Sequence, residues 1–292
     1  MAFTIATFYG FFSWPDHVEA RDEIYSLCEN NQVIGTIYVS AEGINATLCG
    51  PEVCINMTIS DIAALPNVEF SEPKYAHADE PAFKRLRVKI KPEIVTMGNP
   101  SIDPTKVNGQ YVKPADWNEL ISSDDVTVID TRNNYEYEIG SFANATNPGT
   151  EVFRDFPTFV EHKMDPKTNS KVALFCTGGI RCEKATSYLL EQGFSDVYHL
   201  EGGIIKYLEE VPASESLWEG DCYVFDDRVS VTHGLELGKH TKCTNCGMPV
   251  DPEVDSKFEP EVCCSRCIDG VTPDRRQRRE MRLSQIQAAS TQ

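Results

Sequence analysis

Cys176-Thr177-Gly178-Gly179-Ile180-Arg181 stands between an apolar run, Lys171 to Phe175, and a helical pattern, Glu183 to Gln192. This order predicts a buried strand, a short loop and a helix, with the cysteine at the end of the strand. Backbone N–H groups of such a loop can point at the sulfur, and the helix N-terminus adds partial positive charge. Both effects favour thiolate over thiol, so Cys176 is the predicted nucleophile.

The residues that follow Cys176 are predicted to complete the site. Amides of the loop would stabilise an anion at the sulfur. Arg181 has two open roles, since it can orient the loop by pairing with a carboxylate or meet an anionic substrate. Cys182 can resolve a persulfide on Cys176 as a disulfide, or it can be a small apolar residue of the core. The loop candidates are Thr177, Gly178, Gly179, Ile180 and Cys182.

Strands alternate with helices from Ala115 to Leu217, which predicts an α/β unit with a parallel sheet. One predicted strand, Val126 to Asp130, ends in Asp-Thr-Arg. Asp130 and Arg132 are therefore supporting candidates, because ligands of open parallel sheets bind at such strand ends. Hydrogen bonds that brace the loop are the favoured role for Asp130.

The strand-end Asp-x-Arg, the cysteine loop and the closing Glu201-Gly202-Gly203 resemble rhodanese domains in their order along the chain. In that family the loop cysteine carries a persulfide. Dual-specificity phosphatases, which are related to rhodanese domains, place five residues between Cys and Arg and so have room for a phosphate. This chain has four, Thr177 to Ile180. The smaller ring of amides suits a sulfane sulfur better than a phosphate.

The first 95 residues predict a small α+β unit in the order βαββαβ with one additional extended segment. This order is that of a ferredoxin-like or acylphosphatase-like sandwich. The first loop, Tyr9 to Trp14, lacks the arginine that acylphosphatase chemistry requires, so we expect a binding platform. The predicted strands are 4–11, 33–39, 44–48, 68–75 and 85–90, and the predicted helices are 17–30 and 51–65.

The chain as a whole is therefore predicted to be an α/β protein of three parts. Residues 1–95 form the ferredoxin-like domain, and 96–114 form a linker rich in Pro, Gly and Asn. Residues 115–217 form the rhodanese domain, and 218–292 form a cysteine-rich C-terminal region with a basic helix.

Two Cys-x-x-Cys pairs in this last region predict a zinc ribbon with a structural Zn²⁺. Four thiolates would hold the metal and let a segment with little apolar core fold. Cys263 adjoins Cys264 and can take its place as a ligand. The predicted ligands are Cys243, Cys246, Cys264 and Cys267.

The formal net charge of -18 argues against indiscriminate binding to nucleic acid, but two basic clusters interrupt the acidic background. Alternation along the strand at 85–90 places four cations on one face, and a second cluster lies on the predicted C-terminal helix. Either cluster alone fits a solvated surface, whereas two on separate domains fit a folded RNA. The residues are Arg85, Arg87, Lys89, Lys91, Arg275, Arg276, Arg278 and Arg279.

Eleven cysteines without a visible secretory signal indicate a reducing compartment, which we expect to be the cytoplasm. No apolar stretch approaches the length of a membrane span, so no membrane partner is expected.

Taken over nearly its whole length, the chain resembles the rhodanese-domain tRNA uridine hydroxylases. The stretches that carry this resemblance are GTIYVSAEGINAT (35–47), CTGGIRCEKA (176–185) and CYVFDDRV (222–229). The resemblance implies oxygen-dependent formation of 5-hydroxyuridine at the wobble position of tRNA, with molecular oxygen as co-substrate and Cys176 as the required cysteine. No iron triad or flavin fingerprint is present, and no organic cofactor is evident.

Two other functions stay open at the level of sequence. One is a persulfide sulfurtransferase that takes sulfur from thiosulfate or a protein donor. The other is a non-enzymatic module that binds RNA or protein, which the intact cysteine loop disfavours.

Overall fold

The computed structural model describes residues 3–290, without the side chains of Glu280, Leu283 and 286–290, so the last two residues of the predicted C-terminal region lie outside it. Its first part is a sheet in the order β4-β1-β3-β2-β5, in which β2 and β5 are parallel and the other neighbours antiparallel. The elements are β1 (Phe3–Phe11), α1 (His17–Asn30), β2 (Ile34–Ser40), β3 (Gly43–Gly50), α2 (Glu52–Ala63), β4 (Lys74–Ala78) and β5 (Leu86–Ile90).

Alternation along these strands decides which face of the sheet is covered. Phe8, Ile37 and Leu48 point to the buried face and share one core with Ile24 of α1 and Ile55 of α2. The order of elements confirms the predicted α+β sandwich with an added strand. The strand predicted at 68–75 is wrong in position, since β4 begins only at Lys74. Residues 68–73 form no strand, and Pro73 has no N–H to donate to a ladder.

The second part is a parallel sheet in the order β6-β10-β9-β7, as predicted from the alternation of strands and helices. Its central strand β9 is buried from Val172 to Phe175, because helices cover both faces. The elements are β6 (Gln110–Val112), α3 (Pro114–Ile121), β7 (Val126–Asp130), α4 (Asn134–Tyr137), β8 (Gly140–Phe142), α5 (Phe156–Lys163), β9 (Lys171–Phe175), α6 (Ile180–Glu191), β10 (Asp196–Leu200) and α7 (Gly203–Glu210).

The C-terminal part contains short strands and one long helix. Its first strand, β11, pairs with β8 of the preceding part, and β6 lies inside the predicted linker yet pairs with β10. The predicted limits at 114 and 217 stay predictions, and hydrogen bonds cross both. The elements are β11 (Trp218–Gly220), β12 (Cys222–Tyr223), β13 (Ser230–Val231), β14 (Thr241–Lys242), β15 (Pro249–Val250) and α8 (Pro273–Ser290).

A buried ion-pair cluster joins the first two parts. Lys184 of α6 has no exposed side-chain surface, and its Nζ lies 2.8 Å from Glu42 Oε2 and 2.6 Å from Glu93 Oε2. Removing one member of such a cluster leaves an uncompensated buried charge, which typically costs about 3–5 kcal/mol. The first sheet is thereby fixed against the helix that begins at the cysteine loop.

Among residues 3–290, no helix is both long enough and apolar enough to cross a membrane.

Candidate active site at the Cys176 loop

Cys176 lies immediately after β9 and is 1% exposed. The N–H of Gly179 donates a hydrogen bond of 3.1 Å to its sulfur, and α6 begins at the next residue, Ile180. Gly179 has a φ of 102°, a left-handed conformation that favours glycine. The loop therefore turns its backbone N–H groups toward the sulfur and places the N-terminus of a helix beside it, as the sequence predicts.

The carbonyls of the same loop point outward and are met by α7. The N–H of Ile204 donates to the Cys176 carbonyl at 2.9 Å, and that of Ile205 donates to the Thr177 carbonyl at 3.1 Å. This close approach explains the Glu-Gly-Gly motif. A Cβ on Gly203 would lie 2.6 Å from the Cys176 carbonyl oxygen, so only glycine fits there.

The third carbonyl of the loop is met by a lysine of the first domain. Lys74 Nζ donates a hydrogen bond of 2.6 Å to the Gly178 carbonyl, and Tyr9 comes so near that a Cβ on Gly179 would lie 2.7 Å from its hydroxyl. The Tyr9 hydroxyl donates to Glu183 Oε1 at 3.1 Å. The cysteine site is thus completed by two domains. Sequence reasoning placed neither Lys74 nor Tyr9 at this site, since no local pattern marks their contacts with the loop.

Arg181 makes a bidentate ion pair with Glu136. Its two terminal nitrogens lie 2.7 and 2.8 Å from the carboxylate oxygens, and one also contacts the Thr177 hydroxyl at 3.3 Å. Burial alone would raise the pKa of Glu136, but the charge of Arg181 lowers it below its ordinary value. This geometry favours the first of the two predicted roles, orientation of the loop.

Glu136 is a site residue that sequence reasoning missed. It caps α4, where its carboxylate accepts a hydrogen bond of 3.1 Å from the N–H of Asn133. The spacing Asn133-x-x-Glu136 matches a capping box, and this signal marks a helix start without revealing the distant arginine.

The environment of Cys176 stabilises its ionised form. Burial opposes ionisation, but hydrogen bonds from Cys182 and Gly179 and the charge of Arg181 outweigh it and lower the pKa of Cys176 to about 5. Burial and the neighbouring thiolate raise the pKa of Cys182 well above its ordinary value. Cys176 is therefore the anionic member of the pair at neutral pH.

Cys182 itself is fully buried on the first turn of α6. Its sulfur lies 3.7 Å from the Thr131 hydroxyl oxygen, and it belongs to the apolar cluster that contains Leu174 and Leu189. Both predicted roles, packing and resolution of a persulfide, stay predictions.

Asp130 and Arg132 pair with each other beneath the loop. Both side chains have no exposed surface, and Arg132 donates hydrogen bonds of 2.9 and 2.6 Å to the Asp130 carboxylate and another of 2.6 Å to the Gly140 carbonyl. The guanidinium also lies 5.0 Å from the centre of the Trp218 ring. The geometry favours the bracing role predicted for Asp130.

The basic residues of the first domain lie on the edge strand β5 and in its flanking turns. All four are exposed, and alternate residues Leu86 and Val88 turn inward. β5 pairs only with β2 within the described range, so this basic row borders solvent. The row consists of Arg85, Arg87, Lys89 and Lys91.

The arginines of α8 divide into two kinds. Arg276 pairs with Glu259, and Arg279 donates to the carbonyls of Thr244 and Val262 at 3.2 and 3.0 Å. These two hold the helix against the cysteine-rich region. Arg275 and Arg278 are exposed, and Arg278 donates to the Asp274 carbonyl.

The four predicted ligand cysteines come together. Their sulfur atoms all lie within 4.8 Å of one another, with individual separations of 3.6, 3.7 and 3.8 Å. A tetrahedron with Zn–S bonds of about 2.3 Å has edges of about 3.8 Å, so the arrangement can hold a metal. Cys264 is the member of the cluster, and Cys263 lies outside it.

Topology and site together define a protein with one rhodanese domain, preceded by an α+β domain and followed by a cysteine-rich C-terminal region. Residues 3–94 match the family model of the UPF0176 acylphosphatase-like domain, and residues 113–210 match that of the rhodanese-like domain. Proteins named tRNA uridine(34) hydroxylase are similar to almost the entire chain. The relative from Picosynechococcus is 50% identical, with 98% of this chain and 96% of the relative covered. That from Agrobacterium fabrum is 49% identical, with 99% and 93% covered. The chain belongs to the tRNA uridine(34) hydroxylase family.

Solved structures match single domains. A rhodanese-related protein from Thermoplasma volcanium is 28% identical and covers 35% of this chain and 93% of its own, with a TM-score of 0.28. An acylphosphatase from Coxiella burnetii is 13% identical and covers 31% and 93%, with a TM-score of 0.25. The fold assignment rests on the family models and the sheet topology.

Lys74→Met is expected to raise the apparent pKa of Cys176 from about 5 by about one unit, because it removes a cation and the donor to Gly178. Desolvation lowers the pKa of Lys74 to about 8, and the charge of Lys206 lowers it further. The charges of Cys176, Glu183 and Glu201 oppose this shift. With a pKa of about 8 the Lys74 side chain is largely protonated at pH 7.

The measurement is the rate of iodoacetamide alkylation of Cys176 against pH, followed by mass spectrometry of its peptide. Lys84→Met, an exposed lysine of the same domain, is the control. An unchanged pH profile in Lys74→Met would show that Lys74 has no part in ionisation of the cysteine.

Proposed function

We propose that the protein hydroxylates the wobble uridine of tRNA to 5-hydroxyuridine, with molecular oxygen as co-substrate and in dependence on the Cys176 thiolate. One oxygen atom enters the base and the other leaves as water, with two electrons supplied by an external reductant. The single observation that supports this proposal is the intact anion-stabilising loop at Cys176. It stands in a chain of which relatives named tRNA uridine(34) hydroxylase match 98% and 99%. A tRNA substrate and eleven free thiols fit a cytoplasmic location.

A route for RNA leads across the first sheet to the cysteine loop. Residues that face each other on neighbouring strands project to the same side. On the side opposite α1 and α2, such residues form a polar row across five strands, from the basic edge to the lysine that holds the loop. The row consists of Arg87, Thr36, Thr47, Thr7 and Lys74.

The threonines of this row are half-buried and offer hydroxyl groups, while Arg87 supplies positive charge at its outer end. Phosphate contacts from exposed cations give most of the sequence-independent affinity for nucleic acid. We infer that the RNA backbone is held at β5 and that the target nucleotide reaches Cys176 at the other end of the row.

Cys176→Ser is expected to abolish 5-hydroxyuridine, because a hydroxyl is not ionised at neutral pH and cannot replace the thiolate. The measurement is mass spectrometry of tRNA nucleosides from cells that lack the gene and express each variant. Cys54→Ser, a half-buried lone cysteine of α2, is the control and should retain the modification. Full modification in the Cys176→Ser strain would rule the proposal out.

Sulfur transfer is the second candidate, and the loop of four residues between Cys176 and Arg181 favours it. It would leave tRNA hydroxylation unchanged in the same variants. When the purified protein is incubated with thiosulfate, the Cys176 thiolate would take the sulfane sulfur as a persulfide and release sulfite. Absence of the added mass of that sulfur counts against it.

Arg87→Glu combined with Lys89→Glu is expected to weaken tRNA binding and to reduce the slope of log K against log salt by about two, one for each lost phosphate contact. The double variant Lys163→Glu/Lys167→Glu, on an exposed part of the second domain, makes the same charge change as a control. An equal loss of affinity in both double variants would mean that net charge alone, and not the β5 edge, determines binding.

The four-cysteine cluster is proposed to hold one structural zinc ion, since its donors are all thiolates with separations that suit tetrahedral coordination. When bound, the metal would hold the region between β14 and α8 together. It takes no part in the reaction at Cys176.

Cys264→Ser is expected to lose the metal, and Cys263→Ser, its sequence neighbour outside the cluster, is expected to retain about one zinc per chain. Elemental analysis of the purified proteins measures both. Retention of zinc in Cys264→Ser together with its loss in Cys263→Ser would reverse the assignment.

A further inference from the structure

Residues 223–229 comprise the last residue of β12 and the turn that leads to β13, and they belong to a motif that the site described above does not use. Phe225, an aromatic residue of this turn, is 60% exposed. The rings of Phe225 and Tyr223 make an edge contact, with ring centres 5.1 Å apart and planes at 85°. The guanidinium carbon of Arg181 lies over the Phe225 ring, 5.7 Å from its centre. An exposed aromatic ring therefore borders the cysteine loop.

The turn holds this ring in a fixed place. Arg228 makes a bidentate pair with Asp226 at 2.9 and 2.7 Å, and Val229 adopts a φ of 67°, which is rare for a β-branched residue. The N–H of Asp227 donates to the Ala82 carbonyl of the first domain at 2.9 Å. A turn clamped on both sides presents Phe225 at little further cost in conformational entropy.

The turn is also tied directly to the reactive loop. The Thr177 hydroxyl lies 3.5 Å from the Tyr223 carbonyl and 3.3 Å from Glu136 Oε1, so one side chain links the turn, the loop and the buried ion pair. Phe225 is consequently positioned relative to Cys176 through Tyr223 and Thr177.

Enzymes that modify a base take it out of its stack, and the base then needs a flat partner. An aromatic ring supplies this partner, and stacking of this kind is worth about 1–3 kcal/mol for each base. We propose that Phe225 is the platform on which the target uracil stacks beside Cys176, an inference that rests on the proposed hydroxylation of tRNA. Phe225 then acts as a substrate-binding residue and has no role in ionising the cysteine.

A purely structural role for Phe225 would be to cover the pair between Arg181 and Glu136. Phe225→Leu separates the two roles, because leucine keeps an apolar cover and lacks a flat face. Phe225→Trp keeps the flat face. Leu237→Ala, which removes another exposed apolar side chain (70%) of the C-terminal part, is the matched control.

The test uses the full chain and two anticodon stem-loop RNAs, one with uridine at the wobble position and one with an abasic site there. The wild-type protein should bind the uridine RNA about 5- to 150-fold more tightly than the abasic RNA, which is the stacking contribution expressed as a ratio. The ratio should fall to near one in Phe225→Leu and persist in Phe225→Trp and Leu237→Ala. The rate of Cys176 alkylation should be the same in all four proteins.

A wild-type ratio in Phe225→Leu would overturn the stacking role, and so would slower Cys176 alkylation with the ratio unchanged. Mass spectrometry of tRNA nucleosides from complemented cells tests the proposed function separately. If the wild-type protein yields no 5-hydroxyuridine, hydroxylation fails as the activity, whereas the affinity ratio still decides whether Phe225 binds the base.

Discussion

A loop that turns its N–H groups toward a buried sulfur must turn its carbonyls away from it. Buried carbonyls need donors, since each unpaired one costs free energy comparable to a lost hydrogen bond. Here the carbonyls of Cys176 and Thr177 accept from the N-terminus of α7, and that of Gly178 accepts from Lys74. The thiolate is thus stabilised by a backbone whose opposite side must be satisfied by two other elements of the fold.

This requirement explains why the first domain is part of the site. Lys74 reaches the loop from an edge strand, so the two domains must keep a constant relative position. Lys184 supplies that constraint, because its buried ammonium is paired with Glu42 on one side and Glu93 on the other. A buried ion pair is weak evidence for added stability, but the distances here fix Glu42 and Glu93 of the first domain against α6, the helix that begins at the cysteine loop.

The sequence predicted what is local and missed what is distant. The Cys176 loop, the paired cysteines and the alternation of β5 are short-range patterns, and the structure contains them all. Glu136 and Lys74 lie 45 and 104 residues from their partners Arg181 and Gly178, and no local period encodes such contacts. β4 was misplaced because an extended segment with Pro73 resembles a strand until its hydrogen-bond partners are known.

The distribution of charge bears on the proposed approach of tRNA to this site. A chain with a formal net charge of -18 repels RNA over most of its surface. The exposed row on β5 is an exception, and it lies at one end of the polar row that ends at Lys74. Repulsion elsewhere disfavours other modes of docking, as like-charge contacts do at specific interfaces. The acidic background would therefore contribute to the selectivity of the proposed tRNA binding, because it leaves the proposed route from β5 to Cys176 as the favourable one.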